Sequence, residues 1–119
     1  MKRFIFISAI LELLAGAVLF FAPQLVPDLA QGESSHMAMA RMYGAAAIGL
    51  GIFAFQVWRN FDNEIMVKAF LTAFLIFNLT AFIGLLSSFL AGVFANPAAA
   101  LLHLILGIFA GWYFIKNNL

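Results

Sequence analysis

Glu12 is a carboxyl group within an otherwise apolar stretch, residues 4–22, in which Ser8 is the only other polar side chain. A carboxyl group in hydrocarbon is costly, by about 2.5–3.5 kcal/mol on insertion scales, so it usually faces a protein interior or a cavity. Three roles are open to it. It is a structural acid hydrogen-bonded to Asn78 or a serine, a proton-coupling or cation-binding site, or the polar anchor of a pocket for an amphipathic ligand.

Four more side chains with useful chemistry lie in apolar surroundings: Arg41, Tyr43, Asn78 and His103. At a rise of about 1.5 Å per residue, Glu12 falls about 12 Å above the cytoplasmic edge of the membrane, and His103 falls about 7–8 Å below the outer edge. Because isolated polar groups are unfavourable in lipid, we predict that all five line one ligand-binding or proton-coupling pocket near the outer side.

Simpler roles compete for two of these residues. Arg41 is close to a membrane edge, where arginine commonly extends to lipid headgroups, so its alternatives are a headgroup contact or an inward-facing ion pair or anion site. His103 is either a hydrogen-bonded structural residue or a ligand-binding one. No catalytic residues are predicted, and the sequence identifies no cofactor.

The segment 36–42 contains one histidine and three methionines, which are ligands that suit copper. Methionine is also a common gap-filling residue at a membrane boundary. Copper binding is therefore a minor hypothesis, carried by His36, Met37, Met39 and Met42.

The composition excludes several classes of protein. Of 119 residues, 66% are hydrophobic and 9% are charged, whereas soluble domains carry about 25% charged residues. The absence of cysteine excludes disulfides and thiolate metal sites. A net charge of +1 without a basic cluster gives no support for nucleic-acid binding. The predicted partner is the lipid bilayer, with a lipophilic small molecule as a further possibility.

Four apolar segments predict four transmembrane helices in a single all-α domain, residues 1–119. The spans are expected at about 4–22, 38–58, 65–91 and 98–115. We interpret the first as a retained span and not a signal peptide. Glu12 interrupts its apolar run, and Pro23 after Ala22 does not fit the small-residue site at which signal peptides are cleaved. Asn96 and Pro97 suit the N-cap and first turn of the last helix. The loop 23–37 is turn-rich, and the other two loops are short, which favours an antiparallel up-down-up-down bundle.

The positive charges predict the orientation. With four spans, both termini lie on one side, and five of the six Lys and Arg residues share it; Arg41 is the exception. By the positive-inside rule the termini are cytoplasmic, and the location is a bacterial inner membrane.

Small residues predict where the helices approach one another. Gly44, Ala47, Gly51 and Ala54 form one stripe on the second span, and Gly107 and Gly111 lie on the fourth. Such stripes let helix backbones come close in lipid. They hold the helices of one chain together, or one of them forms a homodimer or joins a larger membrane complex.

The segment 40–51, with Arg41, Tyr43 and Gly44 at its start, resembles the Gly-rich second span of small bacterial four-helix membrane proteins of the DoxX-like kind. Ala22-Pro23 is similar to the start of their first external loop. The resemblance covers about half the chain. It implies a membrane subunit linked to a thiol or quinone redox system, although this chain has no thiol of its own.

A second resemblance is to small multidrug resistance transporters, which have a similar length, four helices and one essential glutamate in the first span, placed as Glu12 is. The aromatic and glycine pattern of their later spans is missing here.

Taken together, the polar residues and the two resemblances predict a pocket for a lipid or quinone. Two alternatives stay open: a proton-coupled exporter using Glu12, or a structural subunit without a ligand.

Overall fold

A computed structural model describes residues 1–26, 29 and 34–118. Of residue 118 it describes only the backbone. The described residues are all-helical, with four long helices: α1 (Lys2–Phe21), α2 (Ser34–Arg59), α3 (Glu64–Leu90) and α4 (Ala98–Asn118). A short 3-10 helix, Pro23–Leu25, follows α1. The predicted second span begins four residues earlier than expected, at Ser34. Of the predicted loop 23–37, residues 27, 28 and 30–33 lie outside the described residues.

Each of the four helices is long and apolar enough to cross a membrane. The shortest has 20 residues, which corresponds to about 30 Å, the thickness of the hydrocarbon core. In each helix less than a third of the most apolar segment is buried. The exposed side chains of these segments are largely Ile, Leu, Phe and Val, which suit contact with lipid.

Local signals define the ends of the second pair of helices. The Asn63 side chain accepts a hydrogen bond from the Met66 N–H and caps the start of α3. Asn96 Oδ1 accepts one from the Ala98 N–H at 2.8 Å, which is the cap predicted from the sequence. Gly92, just after α3, has a φ of 76°. This left-handed conformation suits glycine and ends the helix.

By its internal contacts the chain forms two compact units, Met1–Phe61 and Asp62–Leu119. The first contains α1 and α2, which pair from Phe6 and Trp58 at one end to Phe20 and Gly44 at the other. The start of α1 lies against the end of α2, where the rings of Phe6 and Trp58 are 4.8 Å apart. Towards the other end of the pair, Gly16 lies against Gly44.

Glycines set how closely α1 and α2 approach. A Cβ added at Gly44 would lie 2.6 Å from the Phe20 nitrogen and 2.8 Å from the Gly16 carbonyl oxygen. These neighbours are backbone atoms, so no side-chain rotation relieves the clash. A Cβ added at Gly51 would meet Leu13 at 2.8 Å and the Ala9 carbonyl oxygen at 3.1 Å. The stripe predicted on the second span is therefore the surface that packs on α1.

The second unit pairs α3 with α4 less tightly at its glycines. A Cβ added at Gly107 would lie 3.6 Å from the Asn78 Cβ, and one added at Gly111 would lie 3.6 Å from Leu75 Cδ1. Both distances are ordinary van der Waals contacts. The stripe on α4 thus faces α3, without the backbone-to-backbone contact of the first unit.

Candidate functional site

Ser8 and Glu12 form a buried polar pair on α1. Ser8 is fully buried and Glu12 is 4% exposed. They are four residues apart, so they are neighbours on one face of the helix, about 5–6 Å apart at Cβ. The same face contains Ile5, Ala9 and Gly16, the last of which contacts α2. Two polar groups are therefore buried side by side on a helix that is long and apolar enough to cross a membrane.

Among the described residues, no group forms a hydrogen bond with the Ser8 hydroxyl. Hydroxyl side chains inside a helix usually donate to a backbone carbonyl one turn earlier. Those of α3 do so: Thr72 donates to Lys68, Thr80 to Ile76, and Ser87 and Ser88 to Gly84. Leaving a buried hydroxyl unsatisfied costs about 1–3 kcal/mol. The Ser8 hydroxyl is thus available to a group that is not part of the described chain.

Tyr43 brings a third polar group to this part of the first unit. Its side chain is half-buried on α2, and it is close enough to Glu12 for the two to interact electrostatically. A phenol donates and accepts hydrogen bonds, as a hydroxyl does, while a carboxyl group accepts two or more. Ser8, Glu12 and Tyr43 together supply the donors and acceptors that a polar head group or a cation would need.

Arg41 lies on a different side of α2 from Tyr43. Residues two apart on a helix are rotated by about 200°, so the two side chains point in nearly opposite directions. Arg41 is exposed, and within the described parts of the chain it forms no ion pair with Glu12. This position suits a contact with a lipid headgroup.

Asn78 and His103 form the polar contact of the second unit. Asn78 is fully buried, and its Nδ2 donates to the Phe74 carbonyl at 2.8 Å. Its Oδ1 is 2.8 Å from Nδ1 of His103. Because a carbonyl oxygen only accepts, Nδ1 of His103 carries the proton and donates. The Phe77 ring packs against the imidazole edge to face, with centroids 5.8 Å apart.

This hydrogen bond should measurably stabilise the second unit. We expect Asn78→Leu and His103→Leu to show a coupling energy of about 0.6–1.7 kcal/mol in a double-mutant cycle, the range found for interhelical hydrogen bonds in membranes. The free energy of unfolding is measured by titration with denaturing detergent. Strictly additive effects would contradict the pairing.

The five predicted site residues divide between the two units. Glu12, Arg41 and Tyr43 belong to the first, and Asn78 and His103 to the second. Within the first unit, Glu12 and Tyr43 come near each other. Within the second, Asn78 and His103 are hydrogen-bonded. A single pocket lined by all five stays a prediction.

The residues of the copper hypothesis lie in the first turns of α2. His36 and Met39 are exposed, as is Met42, while Met37 is half-buried. Residues 37 and 39 are rotated by about 200° from each other on the helix, so the four side chains do not share one face. Among the described residues, no group of three or more His, Asp and Glu side chains is close enough to hold a metal ion. The hypothesis stays a minor one.

Ser8 is the site residue that the sequence did not identify. In the sequence it is recognisable only as the other polar side chain of residues 4–22. A serine in a span is ordinary, and Ser8 differs from the serines of α3 in its burial and in the orientation of its hydroxyl. That orientation depends on packing, which no sequence signal reports.

Comparisons with protein-family models, with curated proteins and with solved structures find no match. Any inference about function therefore depends on the arrangement of the residues themselves.

Proposed function

We propose that this chain is a small integral membrane protein in which Ser8 and Glu12, assisted by Tyr43, bind the polar head of a lipophilic or amphipathic molecule such as a lipid or quinone. The unsatisfied Ser8 hydroxyl beside a buried carboxyl group carries the proposal. Two polar groups enclosed together are unfavourable unless a partner satisfies them. The molecule's apolar part would lie along the apolar side chains of the helices.

Binding requires the site to open. Ser8 and Glu12 are closed off from solvent, so neighbouring side chains must move before a head group enters. The proposed ligand supplies hydrogen bonds to both residues. A hydrogen bond to a charged or buried polar group contributes about 1.5–3 kcal/mol, which corresponds to about a tenfold to hundredfold change in affinity.

Molecules that co-purify with the protein test this proposal. We expect mass spectrometry of organic extracts to find one lipophilic species enriched with the wild type and reduced at least about tenfold in Glu12→Gln and Ser8→Ala. The matched controls are Glu64→Gln, which changes an exposed carboxyl group, and Ser88→Ala, which removes a satisfied hydroxyl. Equal extracts from all variants would refute the site.

A second candidate function is proton-coupled export of lipophilic cations. The burial of Glu12 favours this candidate. A proton can reach a buried carboxyl group, whereas a larger ligand reaches it only after the neighbouring side chains move. In liposomes, Glu12→Gln should then abolish substrate-induced proton release. Wild-type protein that shows no proton release across a panel of hydrophobic cations would remove this candidate and leave the binding site standing. A structural subunit would show neither activity nor a co-purifying molecule.

We further propose that the four helices form one antiparallel bundle in a bacterial inner membrane, with both termini in the cytoplasm. The alternative assembly is a homodimer or a larger membrane complex. The distribution of Lys and Arg supports this orientation. The resemblance of segment 40–51 to DoxX-like proteins supports a role beside a membrane redox system, with Arg41, Tyr43 and Gly44 as the matching positions.

The orientation can be tested by labelling. The chain has no cysteine, so Ser35→Cys introduces a unique thiol. We expect an impermeant thiol reagent to label it from the periplasmic side, and a reporter fused after the C-terminus to be active in the cytoplasm. Lys116→Cys is the control and should be protected in intact cells. The opposite labelling pattern would reverse the topology.

A further inference from the structure

The start of α1 and the end of α2 form a basic surface next to aromatic rings. Phe6 and Trp58 hold the two ends together, with ring centroids 4.8 Å apart. Lys2, at the start of α1, has its Nζ 5.6 Å from the centroid of the Phe61 ring. We call the surface formed by Lys2, Arg3, Arg59, Trp58 and Phe61 the basic end of the first unit.

The cations of the basic end form no ion pair with an acidic side chain among the residues that the structure describes. Lys2, Arg3 and Arg59 are exposed, and none of them forms an ion pair in the described parts of the chain. Among α1 residues only Glu12 is acidic, and it lies more than two turns further along the helix. Asp62 and Glu64 follow Arg59 in the sequence and are exposed. Lys2, Arg3 and Arg59 contribute three positive charges, and Asp62 and Glu64 contribute two negative ones, so the net charge of these five side chains is positive.

The position of this surface points to its partner. It lies at one end of two helices that are long enough to cross a membrane, where the hydrocarbon gives way to headgroups. Tryptophan is favoured at that level because its ring is apolar while its N–H is polar. Basic side chains there attract anionic lipids. The surface thus offers cations at headgroup level and a tryptophan at the depth of the upper acyl chains.

We infer that the basic end of the first unit binds the headgroups of anionic phospholipids, with Lys2 and Arg59 as the principal contacts. Arg59 presents a planar guanidinium that suits bidentate contact with a phosphate, and Lys2 supplies a point charge beside the Phe61 ring. This inference uses none of the residues of the Ser8–Glu12 site and holds whether or not that site binds a ligand.

Lipid titration of the full chain in zwitterionic detergent tests the inference. The chain has two tryptophans, so Trp112→Phe makes Trp58 the only one and its fluorescence the reporter. We expect phosphatidylglycerol to change the Trp58 emission with at least about tenfold higher affinity than phosphatidylcholine. Lys2→Gln with Arg59→Gln should lower the phosphatidylglycerol affinity about tenfold, while Lys2→Arg with Arg59→Lys should retain most of it.

The matched control removes the same charge elsewhere. Lys68 and Lys116 are exposed residues of the second unit, and Lys68→Gln with Lys116→Gln should change the affinity less than about twofold. Circular dichroism checks that each double variant keeps its helices. Equal losses in the two double variants would mean a response to net charge and would overturn the inference. It would also be overturned by equal binding of phosphatidylcholine, or by full competition from soluble glycerol phosphate, which would indicate a small-anion site.

Discussion

Gly44→Ala should separate α1 from α2 and lower the free energy of unfolding by about 2–3 kcal/mol, the upper range for overpacking. The added Cβ would meet backbone atoms of Phe20 at 2.6 Å and Gly16 at 2.8 Å. Helix backbones move only as units, so the clash is relieved by moving the helices apart. That movement also weakens the contacts around Gly51. Gly44→Leu should prevent the pairing altogether.

Gly49→Ala is the matched control for this prediction. Gly49 is on the same helix, and a Cβ added there would have no neighbour within 4 Å. We expect an effect of less than about 1 kcal/mol, in the stabilising direction, because alanine favours the helix more than glycine. Unfolding in mixed micelles, followed by circular dichroism, measures both variants. Equal effects at the two positions would mean that close approach of α1 and α2 does not hold the first unit together.

Removing polar groups from the Ser8–Glu12 site should stabilise the protein without its ligand. Ser8→Ala deletes a buried hydroxyl that has no hydrogen-bond partner in the described part of the chain, and we expect a gain of about 1–2 kcal/mol. Glu12→Leu replaces a buried carboxyl group by an apolar side chain of similar size, with an expected gain of about 1–3 kcal/mol. Both variants should also lose the co-purifying molecule. Gain of stability with loss of binding is expected of a site that is kept for function.

Asn78→Leu provides the contrast. It makes a similar change from polar to apolar at a fully buried position, but Asn78 is satisfied by Phe74 and His103. Its loss leaves the Nδ1–H of His103 without this acceptor, so we expect destabilisation. The unfolding free energies of delipidated protein decide the matter. If Ser8→Ala and Glu12→Leu also destabilise, the two residues are structural and the proposed site is wrong.

The helices could be predicted because their signals are local. Long apolar runs, the capping asparagine before Pro97 and the glycine stripe on the second span each act within a few turns. The start of α2 was placed too late because Ser34, Ser35 and His36 are polar, and they were interpreted as a loop. A polar turn can extend a transmembrane helix beyond the hydrocarbon at little cost.

The candidate site could be predicted only in part. Glu12 was recognisable because a carboxyl group in an apolar run is unusual. For Asn78 and His103 the sequence predicted only that both line a common pocket with other polar residues, and not that they form a hydrogen bond with each other. The orientation of Ser8 depends on side-chain packing that the sequence does not encode in a readable pattern. Arg41 precedes Gly44 by about one turn, and Gly44 already lies against Phe20, next to the last residue of α1, so the turn of α2 with Arg41 extends past the end of α1.

A crystal structure of the wild-type protein grown in a lipid phase would test the Ser8–Glu12 site most directly. We predict elongated electron density in the membrane region, with a polar end within about 3.2 Å of Ser8 Oγ and of a Glu12 carboxyl oxygen. The same density should be missing from Glu12→Leu crystals. A wild-type structure in which side chains fill the space beside Glu12, and Ser8 donates to its own backbone, would contradict the proposal.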